Sequence, residues 1–123
     1  MARKKSPTLT EAELRLMEVL WKKGAATVGD VVDSLPKKKA VAYNTVLTIL
    51  RILEQKGYVR HTKEGRAFIY HPVIGRREAC RNAVSYVVSR FFQNSPELLV
   101  LNMLEDGKID EDEIKRLRKM LEE

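Results

Sequence analysis

Between Thr10 and Gly57, apolar residues recur at helical spacing in three blocks separated by capping and breaking residues. Thr10 and Glu13 have the spacing of a capping box, and Leu14, Met17, Leu20 and Trp21 follow at helical intervals until Gly24, which predicts a first helix. A short extended piece at Ala25 and Ala26 leads to Thr27 and Asp30, a second cap. It opens a brief helix through Val31, Val32 and Leu35 that Pro36 ends. In the third block, AYNTVLTILRILEQKG (42–57), a turn of roughly 100° per residue gathers Val46, Ile49, Leu50 and Leu53 on one side. Asn44, Thr48, Arg51 and Gln55 fall within about 40° of the opposite direction, and Gly57 stops the helix. Beyond it, Tyr58 to Thr62 and Arg66 to His71 are rich in β-branched and aromatic residues around Lys63-Glu64-Gly65, a hairpin pattern.

Three helices followed by a hairpin is the order of a winged helix-turn-helix domain. Pro72 marks its end, and past Gly75 the pattern is purely helical, with Ala79, Ala83, Val84, Val87, Val88, Phe91 and Phe92 forming a broad apolar stripe. Asn94, Ser95 and Pro96 break that helix. A shorter one follows through Leu98, Leu99, Leu101 and Leu104, and Asp110 caps a last helix with Ile114, Leu117 and Leu121 on one side. The expected fold is α+β and mostly helical, with a winged domain over 1–72 and a three-helix module over 73–123. About 50 residues are too few for a self-sufficient core, so burial against a second copy is the economical use of this tail. Val84, Val87, Val88, Phe91 and Phe92, with Leu98, Leu101, Leu104, Ile114, Leu117 and Leu121, are the expected dimerisation residues; packing back on the winged domain is the alternative.

Charge sharpens this division. The formal net charge is +6, but residues 1–72 hold 14 Lys/Arg against 7 Asp/Glu, whereas residues 73–123 hold 9 against 10. A basic head beside a near-neutral tail suits a polyanion-binding module joined to an assembly module. At 123 residues the chain is small for an elaborate enzyme cleft. No apolar run reaches the ~18 residues of a membrane span, and no apolar segment follows the charges of Met1 to Lys5. Cytoplasmic localisation without membrane insertion is therefore expected. The single Cys80 sits among apolar helix residues and reads as a packed small hydrophobe.

Asn, Thr, Arg and Gln are side chains whose donors and acceptors match base edges in the major groove, so Asn44, Thr45, Thr48 and Arg51 are the expected base readers. A solvated surface helix has the same pattern, but the two capped helices before it favour the reading role. Lys37, Lys38 and Lys39 precede the reading helix, where lysines contact phosphates and fix register without carrying sequence information. Lys63 and Arg66 flank the hairpin turn and are the expected wing contacts to backbone; a plain charged turn is the competing view. His61, His71 and one Cys give no metal-ligand spacing, no nucleophile and base stand together, and Asp110 to Glu113 suit a helix N-terminus. Neither cofactor, metal nor catalytic residue is expected. A winged module for protein interaction and a one-component ligand sensor are the alternative functions.

The chain resembles the penicillinase-repressor family, the BlaI/MecI type of bacterial transcriptional regulators. The likeness is carried by LTEAELRLMEVLWKKG (9–24), ATVGDVVDSL (26–35), AYNTVLTILRILEQKGYV (42–59), GRAFIYHPV (65–73) and LLVLNMLEDGKIDEDEIKRLRKML (98–121), nearly the whole length. The resemblance implies a homodimer that binds a palindromic operator with TACA/TGTA-like half-sites, occludes a promoter and represses the genes behind it. It also implies, for members that respond to β-lactams, inactivation by cleavage in the tail after a membrane metalloprotease sensor detects the antibiotic. The family's scissile Asn-Phe bond falls on Asn102 and Met103, where Met replaces Phe. Copper-responsive relatives carry cysteines near the C-terminus; this chain has none after Cys80.

Overall fold

Side chains fix where four of the helices begin. In the computed structural model, which describes residues 8–36 and 42–122, Thr10 and Glu13 form the expected reciprocal cap at the start of α1 (Glu11–Lys23). The Thr10 amide donates to Glu13 Oε1 at 2.9 Å, and the Glu13 amide to Thr10 Oγ1 at 3.2 Å. Thr27 and Asp30 repeat the device at α2 (Val28–Ser34), satisfying backbone donors that the first turn of a helix leaves free. α3 (Tyr43–Lys56) ends at Gly57, which adopts φ +87°. Its N–H donates to the Glu54 carbonyl and the Tyr58 N–H to the Leu53 carbonyl, a closure that requires a left-handed residue at position 57.

A three-stranded antiparallel sheet in the order β1-β3-β2 completes the head: β1 (Ala26–Thr27), β2 (Val59–Glu64) and β3 (Ala67–Pro72). Ala26 pairs with Tyr70, while β2 and β3 pair from Val59↔Pro72 to Glu64↔Ala67. The hairpin turn is therefore Gly65 and Arg66 alone, with Gly65 at φ +60°. That is tighter than the sequence pattern suggested and places Lys63 within β2, opposite Phe68.

Leu16, Met17 and Leu20 of α1, Val31 of α2, Val46, Leu50 and Leu53 of α3, Tyr58 just before β2, and Val59 and Tyr70 of the sheet make one core. Leu14, expected on the inward face of α1, is exposed. The inward line is set by Leu16, Met17 and Leu20, and Leu14 lies off it.

The remaining helices are α4 (Arg76–Phe91), α5 (Pro96–Glu105) and α6 (Glu111–Glu122). Ser95 caps α5 and a reciprocal Asp110–Glu113 pair caps α6. Tertiary contacts divide the chain into two units, one ending at Ala83 and the other beginning at Val84, so the first reaches past Pro72 into α4. The cause is Ala79, which is buried in the core of the head. Cys80, one residue on and about 100° around the helix, is exposed, contrary to its expected packed state. In the second unit Val88 is the single buried residue among those described, and it retains 9% exposure.

Candidate nucleic-acid interface

α3 buries Val46, Leu50 and Leu53 and leaves Asn44, Thr45, Thr48, Arg51 and Gln55 exposed. Asn44, Thr48, Arg51 and Gln55 follow one another at i+4, i+3 and i+4 and so form a single line along the helix. Thr45 lies about 120° around from Arg51. The Thr48 hydroxyl donates to the Asn44 carbonyl at 2.9 Å, a back-bond that leaves its oxygen lone pairs and its methyl group to face outward. Arg51 makes no hydrogen bond or ion pair with the described residues and is free to extend. Tyr43, in the first turn of α3, is also exposed, beside the line that the sequence pattern identified.

Lys37, Lys38 and Lys39 lie outside the described residues. At the wing, Arg66 occupies the two-residue turn and is exposed. Lys63 holds its ammonium 5.8 Å from the centre of the Phe68 ring across the strand pair. Both cations are thus on the hairpin, one at its tip and one on a face.

That face is tied to α3. His61 Nδ1 meets both carboxylate oxygens of Glu54, at 2.8 and 2.9 Å, and its ring lies against Phe68 and Tyr70. On the opposite face Thr62 Oγ1 and His71 Nε2 are 2.9 Å apart. The histidines thus add side-chain links, His71 to Thr62 across the strand pair and His61 to Glu54 of α3. Burial, reinforced by the Glu54 carboxylate and Tyr43 and opposed by Arg51, raises the pKa of the Tyr70 phenol above its ordinary value of 10.0.

Not all of the head's positive charge faces outward. Lys56 Nζ contacts Glu13 Oε1 at 2.7 Å and donates to the Thr8 carbonyl at 3.1 Å, so it belongs to the interior. No group of three His, Cys, Asp or Glu side chains among the described residues is placed to hold a metal, and none of the described helices is long and apolar enough to cross a membrane.

In the second unit Val84, Val87, Phe91, Leu98, Leu101, Leu104, Leu117 and Leu121 are exposed, Phe91 at 74% and Leu121 at 87%, while Phe92 and Ile114 are half-buried. Asn102 and Met103 lie inside α5, where the Asp106 N–H bonds the Asn102 carbonyl and the Lys108 N–H the Met103 carbonyl.

Comparison with known proteins gives the same picture in sequence and in fold. The chain is 34% identical over 120 residues to the penicillinase repressor of Bacillus licheniformis, an alignment covering 98% of this chain and 94% of that protein. The solved DNA-binding domain of the repressor BlaI matches with a TM-score of 0.54 at 37% identity, over 62% of this chain and 93% of that domain. The monomeric form of Bacillus licheniformis BlaI, solved in complex with the blaP half-operator, matches with a TM-score of 0.50 at the same identity and coverage. The sequence pattern described as penicillinase repressor spans residues 9–123, and the chain belongs to that family of repressors.

Proposed function

We propose that this protein is a DNA-binding transcriptional repressor that acts as a homodimer on a palindromic operator with TACA/TGTA-like half-sites. The observation that carries this reading is the exposed line of Asn44, Thr48 and Arg51 on α3, in a head that is 37% identical to one solved on a half-operator. Asn44, Thr45, Thr48 and Arg51 read base edges; Lys37, Lys38, Lys39, Lys63 and Arg66 hold the sugar-phosphate backbone.

Residues 73–123 act as the dimerisation module. Among the described residues of these three helices only Ala79 and Val88 are buried, and Ala79 belongs to the core of the head, so the helices do not form a core by themselves and a second copy supplies the missing surface. Dimerisation raises the effective concentration of the second head at the second half-site, so a cut in the tail lowers operator occupancy with the reading helix untouched. Cleavage between Asn102 and Met103 by a membrane metalloprotease sensor, in response to a β-lactam or cell-wall signal, is the proposed release. A protease reaches that bond only after the last turn of α5 opens locally.

Titration of the purified protein with a symmetric TACA/TGTA duplex and with a scrambled duplex of equal length tests the reading, alongside sedimentation. The expected result is a dimer that prefers the palindrome. A monomer at operator-saturating concentration, or equal affinity for both duplexes, overturns it. A chain truncated after Asn102 should be monomeric and bind the full operator weakly; full affinity in that chain removes cleavage as the release step.

A further inference from the structure

Glu54 follows Arg51 by three positions on α3, a spacing that sets two side chains next to each other on the surface of a helix. Of the residues three or four positions from Glu54, namely Leu50, Arg51, Gly57 and Tyr58, Arg51 is the one cation. An arginine and a carboxylate so placed readily pair. Among the described residues, however, neither a hydrogen bond nor an ion pair joins Arg51 to Glu54, and the carboxylate turns to the wing instead. His61 Nδ1 on β2 stands 2.8 and 2.9 Å from its two oxygens. A carboxylate only accepts, so Nδ1 carries the shared hydrogen. The His61 ring is held in turn by an edge contact with Phe68, centroids 5.3 Å apart, and a tilted contact with Tyr70 at 5.6 Å.

The two charges remain neighbours, since the Glu54 carboxylate raises and Arg51 lowers the pKa of the same Tyr70 phenol. The direction of one carboxylate thus decides whether Arg51 is free or paired. That choice matters to an arginine that reads bases. Its paired donors match O6 and N7 of guanine, and a TACA/TGTA half-site holds a single G·C pair. A carboxylate released beside it offers the same two-acceptor geometry and competes with the base for the guanidinium. Exposed ion pairs are weak, so this competition is a few-fold effect that blurs one base position and leaves the fold alone.

We propose that His61 is a positioning residue for base recognition: by holding the Glu54 carboxylate it keeps Arg51 available to the G·C pair of each half-site. The inference rests on the base-reading role given above to Arg51. It is tested with a symmetric TACA/TGTA duplex and a second duplex with A·T in place of each half-site G·C pair; the ratio of the two affinities is the readout. Arg51→Ala should lower that ratio by about fivefold or more. His61→Phe, which keeps a ring against Phe68 and Tyr70 but has no donor, should lower it about two- to fivefold. His61→Leu takes its place if the phenylalanine variant does not fold. Adding Glu54→Gln to His61→Phe should restore the ratio, and His61→Phe should change nothing further in an Arg51→Ala protein. An unchanged ratio in His61→Phe, with Arg51→Ala lowering it, overturns the inference and leaves the reading of Arg51 intact. A loss that Glu54→Gln does not restore, or that persists without Arg51, overturns it too, since His61 would then serve the wing alone. A wild-type ratio of one, or a full ratio in Arg51→Ala, overturns both.

Discussion

Lys56 at the end of α3 and Glu13 in the first turn of α1 form an ion pair of 2.7 Å in which the side chains are only 10% and 7% exposed. Glu13 also closes the cap on Thr10, and Lys56 also binds the Thr8 carbonyl, so both charges are compensated where they are buried. This pair ties α3 to α1. Lys56→Met leaves a carboxylate buried without its partner and should destabilise the head by about 3 kcal/mol, read by denaturant unfolding. Adding Glu13→Gln to that variant should recover much of the loss. A Lys56→Met protein as stable as wild type would show that water relieves the Glu13 charge.

Arg51 extends from the exposed line of α3 without a partner among the described residues. Arg51→Ala should cost on the order of 1 to 3 kcal/mol on the specific operator and relax the base preference at one position of each half-site. Binding titrations against single-base operator variants make the distinction. Equal weakening on every sequence would reassign Arg51 to the phosphates.

Arg66 at the tip of the wing and Lys63 opposite Phe68 should behave differently. Alanine at either position should weaken binding to all duplexes alike and reduce the slope of log affinity against log salt by about one unit. An unchanged slope removes that residue from the backbone contacts.

Phe91, at 74% exposure on α4, is the most testable residue of the tail. Phe91→Glu would bury an unpaired carboxylate in the proposed dimer interface, and sedimentation should find the variant monomeric at concentrations where wild type is dimeric. An intact dimer excludes Phe91 from the interface.

Tyr70 couples the fold to alkaline pH. Burial and the Glu54 carboxylate hold its phenol above the ordinary value of 10.0, so the folded head binds this proton more tightly than the unfolded chain does. The resulting stability is complete below pH 10 and declines as pH rises from there through the folded value. Titration followed by phenolate absorbance should find Tyr70 ionising above its ordinary value, and Glu54→Gln should bring it down. A Tyr70→Phe variant whose absorbance titration differs from wild type only by a tyrosine ionising at the ordinary value, with Glu54→Gln silent, would contradict this.

Much of the head is legible in the sequence because its signals are local. Thr10 with Glu13, Thr27 with Asp30 and Asp110 with Glu113 are caps written within four residues, and Gly57 ends α3 by a conformation that its missing side chain permits. The face of α3 follows from periodicity alone. Pairings between distant elements are not legible in this way. Lys56 and Glu13 are 43 positions apart, and nothing local in the sequence joins them; His61 reads as an isolated histidine until β2 brings it beside Glu54. Periodicity also assigns a residue to a stripe without naming what the stripe packs on. Ala79 continues the line of Val87 and Phe91 along α4 but belongs to the core of the head, and Cys80 beside it faces outward. Thr48 was legible as a polar group on the reading face. Its back-bond, which withdraws the hydroxyl proton and leaves an acceptor and a methyl, depends on backbone geometry.

Among the described residues beyond Val84 only Val88 is buried, and under the proposed dimer this makes copy number and foldedness one variable. If the tail finds its core only in a twin, its melting temperature climbs with total protein, and a cell that makes few molecules keeps them partly open by dilution alone. Scarcity then acts on this regulator twice: fewer molecules reach the promoter, and each one exposes its last helices to degradation for longer.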